Sequence, residues 1–439
     1  YSEETKPMLN TSHGFVPWDD LHHVQVSKTN GEYDGRWAFG NANNTPRVAR
    51  IDLTTFRTAE IIELPNSGGN HSSPFITENT EYVVAGTRFS VPPDDANGDV
   101  PINTYKQNFK GTISFISVAK ENGAMDIAFQ LQCPGVNFDL SRAGKGVSHG
   151  WFFFSMYNTE QANTLLEVNA SQKDKDFIMA VNWKKAEEYI KAGKGRKQSV
   201  KYAHNVYSDI THSATSTIKT EVTVLDVKDF KDLCYFFPCP KSPHGCDVSP
   251  TGEYIVGSGK LAALIPVFSF DKLQKAIAAK DYIGEFDGVP ILKYESVLYG
   301  EVKKPGLGPL HTEFDNKGYA YTSMFVSSEI VKWNIKDLKV VDRVPTYYSV
   351  GHLTVAGGDT KTPNGKYLVA YNKITKDRYL PTGPELSQSA QLYDISGEKM
   401  QLILDFPTIG EPHYAQIVPA DLIKKNSVKF FKMEENKNP

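Results

Sequence analysis

Two short patterns recur along the 439 residues of the chain, and they constrain its fold more than any other feature. In the first, a polar turn that contains Asn or Gly is followed by an aromatic-rich apolar strand. In the second, an apolar strand ends on Asp or Asn, a short turn follows, and another apolar strand begins. Asp and Asn favour such turns because their side chains form hydrogen bonds with the local backbone. The first pattern occupies residues 76–86, 249–257, 314–322 and 362–370, and the second occupies residues 51–56, 225–230, 333–338 and 393–397.

Strand–turn–strand units repeated at intervals of several tens of residues are typical of a β-propeller. A blade of about 40–60 residues divides a chain of this length into seven or eight blades. The 33 Gly, the 25 Pro and the 12% aromatic content also favour many short strands and turns. We therefore predict an all-β fold, with one propeller domain over residues 1–439 and short helical insertions at 184–192 and 271–279.

The charge and hydropathy of the chain exclude several classes of function. The 48 Lys and Arg nearly balance the 51 Asp and Glu, so the sequence has no basic footprint for nucleic acid. Its apolar runs are shorter than the roughly 18 residues that predict a membrane-spanning helix. No signal peptide precedes Tyr1, so we expect either a cytosolic protein or one that has already been processed.

The four cysteines are too few for a disulfide framework. Cys234 and Cys239 could form a disulfide in an oxidising compartment. We favour the alternative, in which Cys133, Cys234, Cys239 and Cys246 are buried small apolar residues.

The placement of the histidines is the strongest indication of function. Of the 11 His, seven lie beside Gly or Pro or in a tandem pair, next to the apolar strands but outside them. Their spacing suits contributions from different blades, whose innermost loops converge on the axis of a propeller. Seven imidazoles at one place would form a nitrogen cage suited to copper, zinc or nickel. Taken singly, each of these histidines could instead be a hydrogen-bonded loop residue. The seven are His22, His23, His71, His244, His311, His352 and His413.

Long motifs around these histidines resemble the nitrous oxide reductase family. The resemblance extends over nearly the whole chain. It implies a seven-bladed β-propeller, in agreement with the repeats. The motifs are Asp20-Leu-His-His-Val-Gln-Val-Ser27, Tyr33-Asp-Gly-Arg36, residues 45–52, Lys241-Ser-Pro-His-Gly-Cys-Asp247 and its continuation to Tyr254, Gly306-Leu-Gly-Pro-Leu-His311 and its continuation to Phe314, Lys373-Ile-Thr-Lys-Asp-Arg-Tyr-Leu-Pro381, and Glu411-Pro-His413.

By this resemblance the seven histidines hold a tetranuclear copper–sulfide cluster that reduces nitrous oxide to dinitrogen and water, the terminal step of denitrification. Lys373 matches the lysine at the open edge of the cluster, where an ammonium can stabilise a bound oxygen or donate a proton. Glu411 and Asp20, each two residues before a ligand, would orient their imidazoles. For both carboxylates the alternative is an ordinary surface position. His13, His149, His204 and His212 match no ligand motif, and we interpret them as structural or supporting residues.

The resemblance also implies calcium as a second cofactor. Oxygen ligands suit this hard cation, although solvated loop carboxylates are the alternative. The residues that match the family's calcium positions are Tyr157, Glu160, Val168 through its carbonyl, Asp174 and Ser242, with the carbonyls of Lys373 and Gln388 at a second cation position.

One departure from the family concerns electron entry. Nitrous oxide reductases normally carry a C-terminal cupredoxin domain with a dinuclear copper motif, C-x-x-x-C-x-x-x-H, which the printed sequence does not contain. Either the chain is a fragment, or electrons arrive from a c-type cytochrome or a separate copper domain. The family also implies a periplasmic location and a homodimer.

Two other functions compete with catalysis of nitrous oxide reduction. One is a non-catalytic propeller, a copper-binding or protein-interaction scaffold that has lost its electron-entry domain. The other is a hydrolase or quinone-dependent dehydrogenase, but the carboxylate pairs or Arg/Trp cofactor seat that these enzymes need are not found in the sequence.

Overall fold

Six antiparallel sheets of four strands, arranged as the blades of a β-propeller, form most of the described part of the chain. The computed structural model describes residues 10–11, 14–15, 21–94, 99–156, 175–240, 242–347, 349–373, 388–408 and 412–426. The innermost strands of the six blades contact one another in sequence order. The segment 412–418 lies between the innermost strands of the last and first blades, where Tyr414 contacts both His352 and His23. The prediction of an all-β propeller is therefore confirmed; the described residues form six blades, and the seventh predicted blade stays a prediction.

The blades are built from consecutive strands, with the first strand of each blade innermost. Blade 1 consists of β3 (Leu21–Thr29), β4 (Glu32–Ala42), β5 (Arg47–Asp52) and β6 (Arg57–Glu63). Blade 2 consists of β7 (Ser72–Ile76), β8 (Tyr82–Gly86), β9 (Gly111–Val118) and β10 (Met125–Cys133). Blade 3 consists of β11 (Phe138–Ala143), β12 (Trp151–Met156), β13 (Lys175–Asn182) and β16 (Cys234–Pro240). Blade 4 consists of β17 (Pro243–Val248), β18 (Tyr254–Gly259), β19 (Leu264–Ser269) and β22 (Leu298–Lys303). Blade 5 consists of β23 (Pro309–Phe314), β24 (Tyr319–Met324), β25 (Glu329–Asn334) and β26 (Val340–Pro345). Blade 6 consists of β27 (Val350–Val355), β28 (Tyr367–Asn372), β29 (Gln388–Asp394) and β30 (Gln401–Thr408).

Of the remaining strands, two hairpins extend or connect these blades, and β1 and β2 form a separate two-stranded sheet. The hairpin β14–β15 pairs with the outer strand β6 of blade 1 and the outer strand β10 of blade 2, so that the two blades form one ten-stranded sheet. A second hairpin extends blade 3 through the parallel pairing of its strand β21 with β16. These strands are β1 (Asn10–Thr11), β2 (Gly14–Phe15), β14 (Arg196–Tyr207), β15 (Ala214–Asp226), β20 (Tyr282–Phe286) and β21 (Val289–Leu292).

Both repeated sequence patterns have a fixed place in the blades. The first ends in the second strand of blades 2, 4, 5 and 6, and its glycines Gly252, Gly318 and Gly365 have positive φ angles of 77°, 87° and 68°. In the second pattern an Asp or Asn side chain accepts a hydrogen bond from the backbone N–H two residues later. The four acceptors are Asp52, Asp226, Asn334 and Asp394.

Both predicted helical insertions are present. The helix α2 (Trp183–Lys191) is capped by Asn182, and α3 (Phe270–Ala279) is capped by Ser269. The other α-helices of the described residues are α1 (Tyr105–Asn108), α4 (Tyr294–Val297) and α5 (Ala420–Asn426), and single 3₁₀ turns cover Ile102–Thr104, Gly146–Ser148 and Val227–Asp229.

Apolar side chains fill the space between neighbouring blades. Each pair of successive blades has its own buried cluster, and α5 packs through Leu422 and Ile423 against Val26 and Leu53 of blade 1. The two cysteines considered for a disulfide lie on opposite faces of β16, because Cys234 belongs to the cluster facing blade 2 and Cys239 to the cluster facing blade 4. All four cysteines are buried free thiols.

Candidate metal centre

A register shift interrupts the innermost strand of every blade at the point nearest the axis. In β17 the shift falls between Pro243 and Gly245, around His244, and in β27 it falls between Val350 and Leu353, around His352. β-Bulges re-aim side chains and are common beside active sites. The corresponding shifts in the other four blades lie at Leu21/Val24, Ser72/Phe75, Phe138/Ser141 and Pro309/Thr312.

Four of the seven predicted ligands converge on one side of the axis. His22, His23, His71 and His413 each place a ring nitrogen within 4.8 Å of the others. The ring centroids of His22 and His413 are 3.6 Å apart, and those of His22 and His71 are 4.7 Å apart. Residues 391 positions apart in the sequence therefore meet in one group.

The other three predicted ligands form a second group beside the first. Ring nitrogens of His244, His311 and His352 also lie within 4.8 Å of one another. His352 connects the groups, since its ring centroid is 4.5 Å from that of His413 and 5.2 Å from that of His23. We call the seven side chains the His cage. Their convergence is a property of the fold, whereas their assignment as copper ligands stays a prediction.

Burial lowers the pKa of several imidazoles of the His cage. Desolvation lowers the pKa of His23, His311 and His352 well below 6.5. It also lowers the pKa of His244 to about 4 against the opposing effect of Asp139. The pKa of His22 is lowered to about 2 by burial and by the nearby charges of His71 and Lys373. Neutral imidazoles are the form that ligates a metal.

Hydrogen bonds from one nitrogen orient several of these rings. The Nδ1 atom of His23 lies 2.9 Å from the carbonyl oxygen of Ser73, and that of His71 lies 2.6 Å from the carbonyl oxygen of Asp139. Such partners fix the tautomer and leave Nε2 as the ligating atom. Among the described residues, Nε2 of His23 and of His244, and both ring nitrogens of His311 and His352, are buried without a hydrogen-bond partner. A metal bound among them would satisfy these atoms.

Asp139 is a functional candidate that the sequence analysis missed. It occupies the bulge of β11, the innermost strand that contributes no histidine to the cage. One carboxylate oxygen lies 3.1 Å from Nδ1 of His71, and the other is hydrogen-bonded to Nδ1 of His244. Burial opposes ionisation, but His244 and Lys260 hold the pKa of Asp139 well below its usual range. An acidic residue within the stretch 136–143, in which apolar and polar residues alternate, was the only sequence signal for this role.

Lys373 lies beside the cage, and the role that the family resemblance gives it stays a prediction. Its Nζ atom is 3.2 Å from Nδ1 and 3.3 Å from Nε2 of His413. The aliphatic part of the side chain passes directly over Gly351, where an added Cβ atom would overlap it. The glycine before His352 thus allows Lys373 to reach the cage.

Several residues named in the sequence analysis lie away from the cage or outside the described part of the chain. Asp20, Glu411 and the calcium candidates Tyr157, Glu160, Val168 and Asp174 lie outside the described residues, as does His13. Ser242 is buried with a φ angle of 52°, and Gln388 begins β29. His149 and His204 bind Glu81 and Glu60, at 2.9 Å and 2.6 Å, and His212 lies in a turn with a φ angle of 56°.

Comparison with known proteins points to the nitrous-oxide reductases. The family model "Nitrous oxide reductase propeller repeat" matches residues 343–413, which include His352, Lys373 and His413. The chain is 31% identical to the nitrous-oxide reductases of Stutzerimonas stutzeri and Pseudomonas fluorescens, over 97% of its own length and 63% of theirs. It is 32% identical to that of Ralstonia nicotianae, over 93% of its length and 60% of the relative.

The chain is thus similar to nitrous-oxide reductases. It spans about three fifths of the length of the curated relatives that it matches. Solved structures that resemble it include the β-propeller domain of Myceliophteria thermophila Cps50 (Swd1), with a TM-score of 0.49 and 6% identity over 92% of this chain and 90% of that one. In the part of the chain that the structure describes, no helix is both long and apolar enough to cross a membrane.

Proposed function

We propose that this propeller reduces nitrous oxide to dinitrogen and water at a tetranuclear copper–sulfide cluster held by the His cage, as the last step of denitrification. The observation that carries the proposal is the convergence of seven imidazoles whose buried nitrogens face one another on the axis. Similarity to curated nitrous-oxide reductases over 97% of the chain supports the same reaction.

The donor set of the cage fits copper. Imidazole nitrogen is a preferred ligand of this metal, and the lowered pKa values keep the rings neutral and able to ligate near pH 7. When bound, a multinuclear copper cluster supplies the two electrons that the substrate needs. The protein contributes a dry, rigid pocket in which Asp139 and the Ser73 carbonyl orient three of the ligands.

Lys373 supplies charge and protons at the edge of the cage. The reduction consumes two protons and develops negative charge on the substrate oxygen as the N–O bond breaks. An ammonium 3.2 Å from His413 is close enough to stabilise that oxygen and to donate a proton to it. Water forms when the oxygen has accepted both protons.

Copper and sulfide analysis of the purified chain, combined with turnover of nitrous oxide under reduced viologen, tests the proposal. We expect about four coppers per chain, an estimate from the family and from the preference of imidazole for copper. His244→Ala should reduce the copper content and abolish the visible absorption of the cluster, whereas the matched variant His204→Ala, outside the cage, should keep both. Lys373→Ala should slow turnover without loss of copper, because its role is charge stabilisation.

The alternative function is a copper-binding scaffold without catalysis. A copper-replete, reductively activated preparation that does not reduce nitrous oxide would favour this alternative. Full copper loading with an unchanged spectrum in His244→Ala would remove that residue from the ligand set. An unchanged rate in the lysine variant would remove only the role of Lys373.

The family resemblance supports further proposals about the setting of the reaction. We propose a periplasmic homodimer that accepts electrons from a c-type cytochrome or from a separate copper domain. Calcium would bind near the segment 157–174, with Ser242 as one of its ligands, and a second cation would bind the carbonyls of Lys373 and Gln388.

A further inference from the structure

The segment that carries His413 differs from every other part of the cage. Residues 412–419, between β30 and α5, belong to no strand or helix. The other six candidates lie on the innermost strands or, like His71, directly before one. His413 nevertheless lies 3.6 Å from His22 and 4.5 Å from His352 between ring centroids. Within the described part of the chain, side chains of this segment make its hydrogen bonds to the neighbouring blades.

Gln416 joins the segment to the first and the last blade. Its Oε1 atom accepts a hydrogen bond of 2.7 Å from the backbone N–H of Val26, in β3. Its Nε2 atom donates to Oδ2 of Asp359, in the turn after β27, at 3.2 Å, and to the hydroxyl oxygen of Tyr414 at 3.3 Å. One side chain thus connects the segment to blade 1 and to blade 6.

Asp359 is a fixed acceptor for Gln416. Its carboxylate is buried and lies 2.5 Å from Nζ of Lys28 and 3.6 Å from Nζ of Lys145, both of which are buried too. Although burial alone would raise it, the pKa of Asp359 is held below its usual range by the two lysines. A carboxylate fixed by two buried cations provides a rigid point on blade 6 for the segment.

Tyr414 continues the same network towards the cage. Its hydroxyl accepts hydrogen bonds of 3.2 Å from Gln25 and from Arg142, and the Arg142 guanidinium carbon lies 4.9 Å from its ring centroid. The ring of Tyr414 also lies 5.3 Å from that of His352. The residue next to His413 is therefore fixed by contacts on both its polar and its apolar side.

We propose that Gln416 and Asp359 are positioning residues that dock the segment 412–418 onto blade 1 and thereby set His413 in the cage. Docking of the segment and completion of the cage are then one event. The inference rests on the proposed function only in taking His413 as a copper ligand.

The test compares Gln416→Met with Gln391→Met. Gln391 lies in β29 of the last blade, and its Oε1 atom likewise accepts from a backbone N–H, that of Tyr347 at 3.1 Å. Hydrogen–deuterium exchange of the copper-free protein should become faster in residues 412–418 of Gln416→Met and stay unchanged there in Gln391→Met. Copper affinity should fall about 10- to 100-fold in Gln416→Met alone, as is usual when a group supporting a metal ligand is removed. Both variants should lower Tm.

Two further measurements keep the outcome decisive. In a His413→Ala background, Gln416→Met should cause no additional loss of copper affinity, because its effect passes through His413. If Gln416→Met does not fold, Gln416→Glu keeps the acceptor for Val26 but brings a second carboxylate to Asp359, and it should release the segment.

Unchanged exchange in the segment, equal copper losses in the two methionine variants, or additive losses with His413→Ala would each overturn the inference. A wild-type protein that binds no copper would refute the proposed function instead, while the exchange comparison would still decide whether Gln416 docks the segment.

Discussion

At the scale of single residues, the cage depends as much on its supporting groups as on its histidines. Asp139 contacts His71 in the first group and His244 in the second, so one carboxylate fixes the relative position of both groups. It lies on β11, the described inner strand that contributes no histidine to the cage. Blade 3 therefore supplies a group that orients ligands instead of a ligand.

Asp139→Asn tests this role at nearly constant volume. An amide places an NH₂ donor where one carboxylate oxygen was, so this donor opposes either the N–H of His244 or that of His71, which keeps only the backbone carbonyl of residue 139. We expect copper affinity to fall about 10- to 100-fold, measured by titration of the copper-free protein. Asp315→Asn is the control, because Asp315 is an equally buried carboxylate that binds Tyr319 and Tyr321 far from the cage. Equal copper affinity in the two variants would contradict the orienting role.

A second residue-scale prediction concerns acid stability. Burial would raise the pKa of Glu81, but hydrogen bonds with His149, Thr77 and Asn79 lower it from 4.5 to about 2. Because the folded-state pKa lies below the unfolded one, Glu81 stabilises the fold above about pH 4.5 and loses this contribution as the pH falls towards 2. Lys184 also faces this pair, 3.1 Å from Nδ1 of His149.

We expect Glu81→Gln to lower Tm at neutral pH and to make Tm fall less between about pH 5 and about pH 3 than in the wild type. Thermal melts across that range measure both effects. The exposed Glu221→Gln, which removes a surface ion pair with Lys197, should change neither. Parallel Tm–pH curves for Glu81→Gln and wild type would refute the prediction.

At the scale of elements, the sequence predicted the blades well and their connections poorly. The repeats predicted the second strand of several blades and the turns in which an Asp or Asn side chain bonds the backbone, because both features depend on residues that are neighbours in the chain. The pairing of β14–β15 with β6 and β10 left no such signal, since it joins residues from different blades. The bulges, and with them Asp139, were equally hidden because they depend on how two strands are registered. The seven histidines could be found because each stands beside a strand in a recognisable motif.

The calcium prediction belongs to the connection between β12 and β13. If Tyr157, Glu160 and Asp174 bind calcium, chelation should lower Tm, because a ligand that binds only the native state stabilises it by mass action. Melting with and without a chelator, together with elemental analysis, checks this. Ser242→Ala should weaken the effect of the chelator, whereas Ser269→Ala, at the cap of α3, should lower Tm by a similar amount in both conditions. Chelator-insensitive melting of a calcium-free protein would exclude the site.

At the scale of the whole molecule, the cage lies on the axis among the six described blades and the segment 412–418. Small molecules and large proteins therefore differ in their access to it. We expect the 439-residue chain, loaded with copper, to reduce nitrous oxide faster with reduced viologen than with a reduced c-type cytochrome, since the buried cage is remote from a bound protein donor. Steady-state rates with the two donors at equal driving force measure this difference. Equal rates would indicate an electron-entry route within the chain itself.

The hairpin β14–β15 sets an order for the synthesis of the protein. Blades 1 and 2 are made first, yet their outer strands β6 and β10 obtain their partners from residues 196–226, which the ribosome adds after most of blade 3. The 93 residues from Cys133 to Asp226 require roughly 5–20 s at about 5–20 residues per second. During this interval the nascent chain exposes two unpaired strand edges, the kind of surface through which partly folded chains associate. The hairpin that joins two blades in the finished protein thus leaves their outer strands unpaired until three strands of blade 3 have been made.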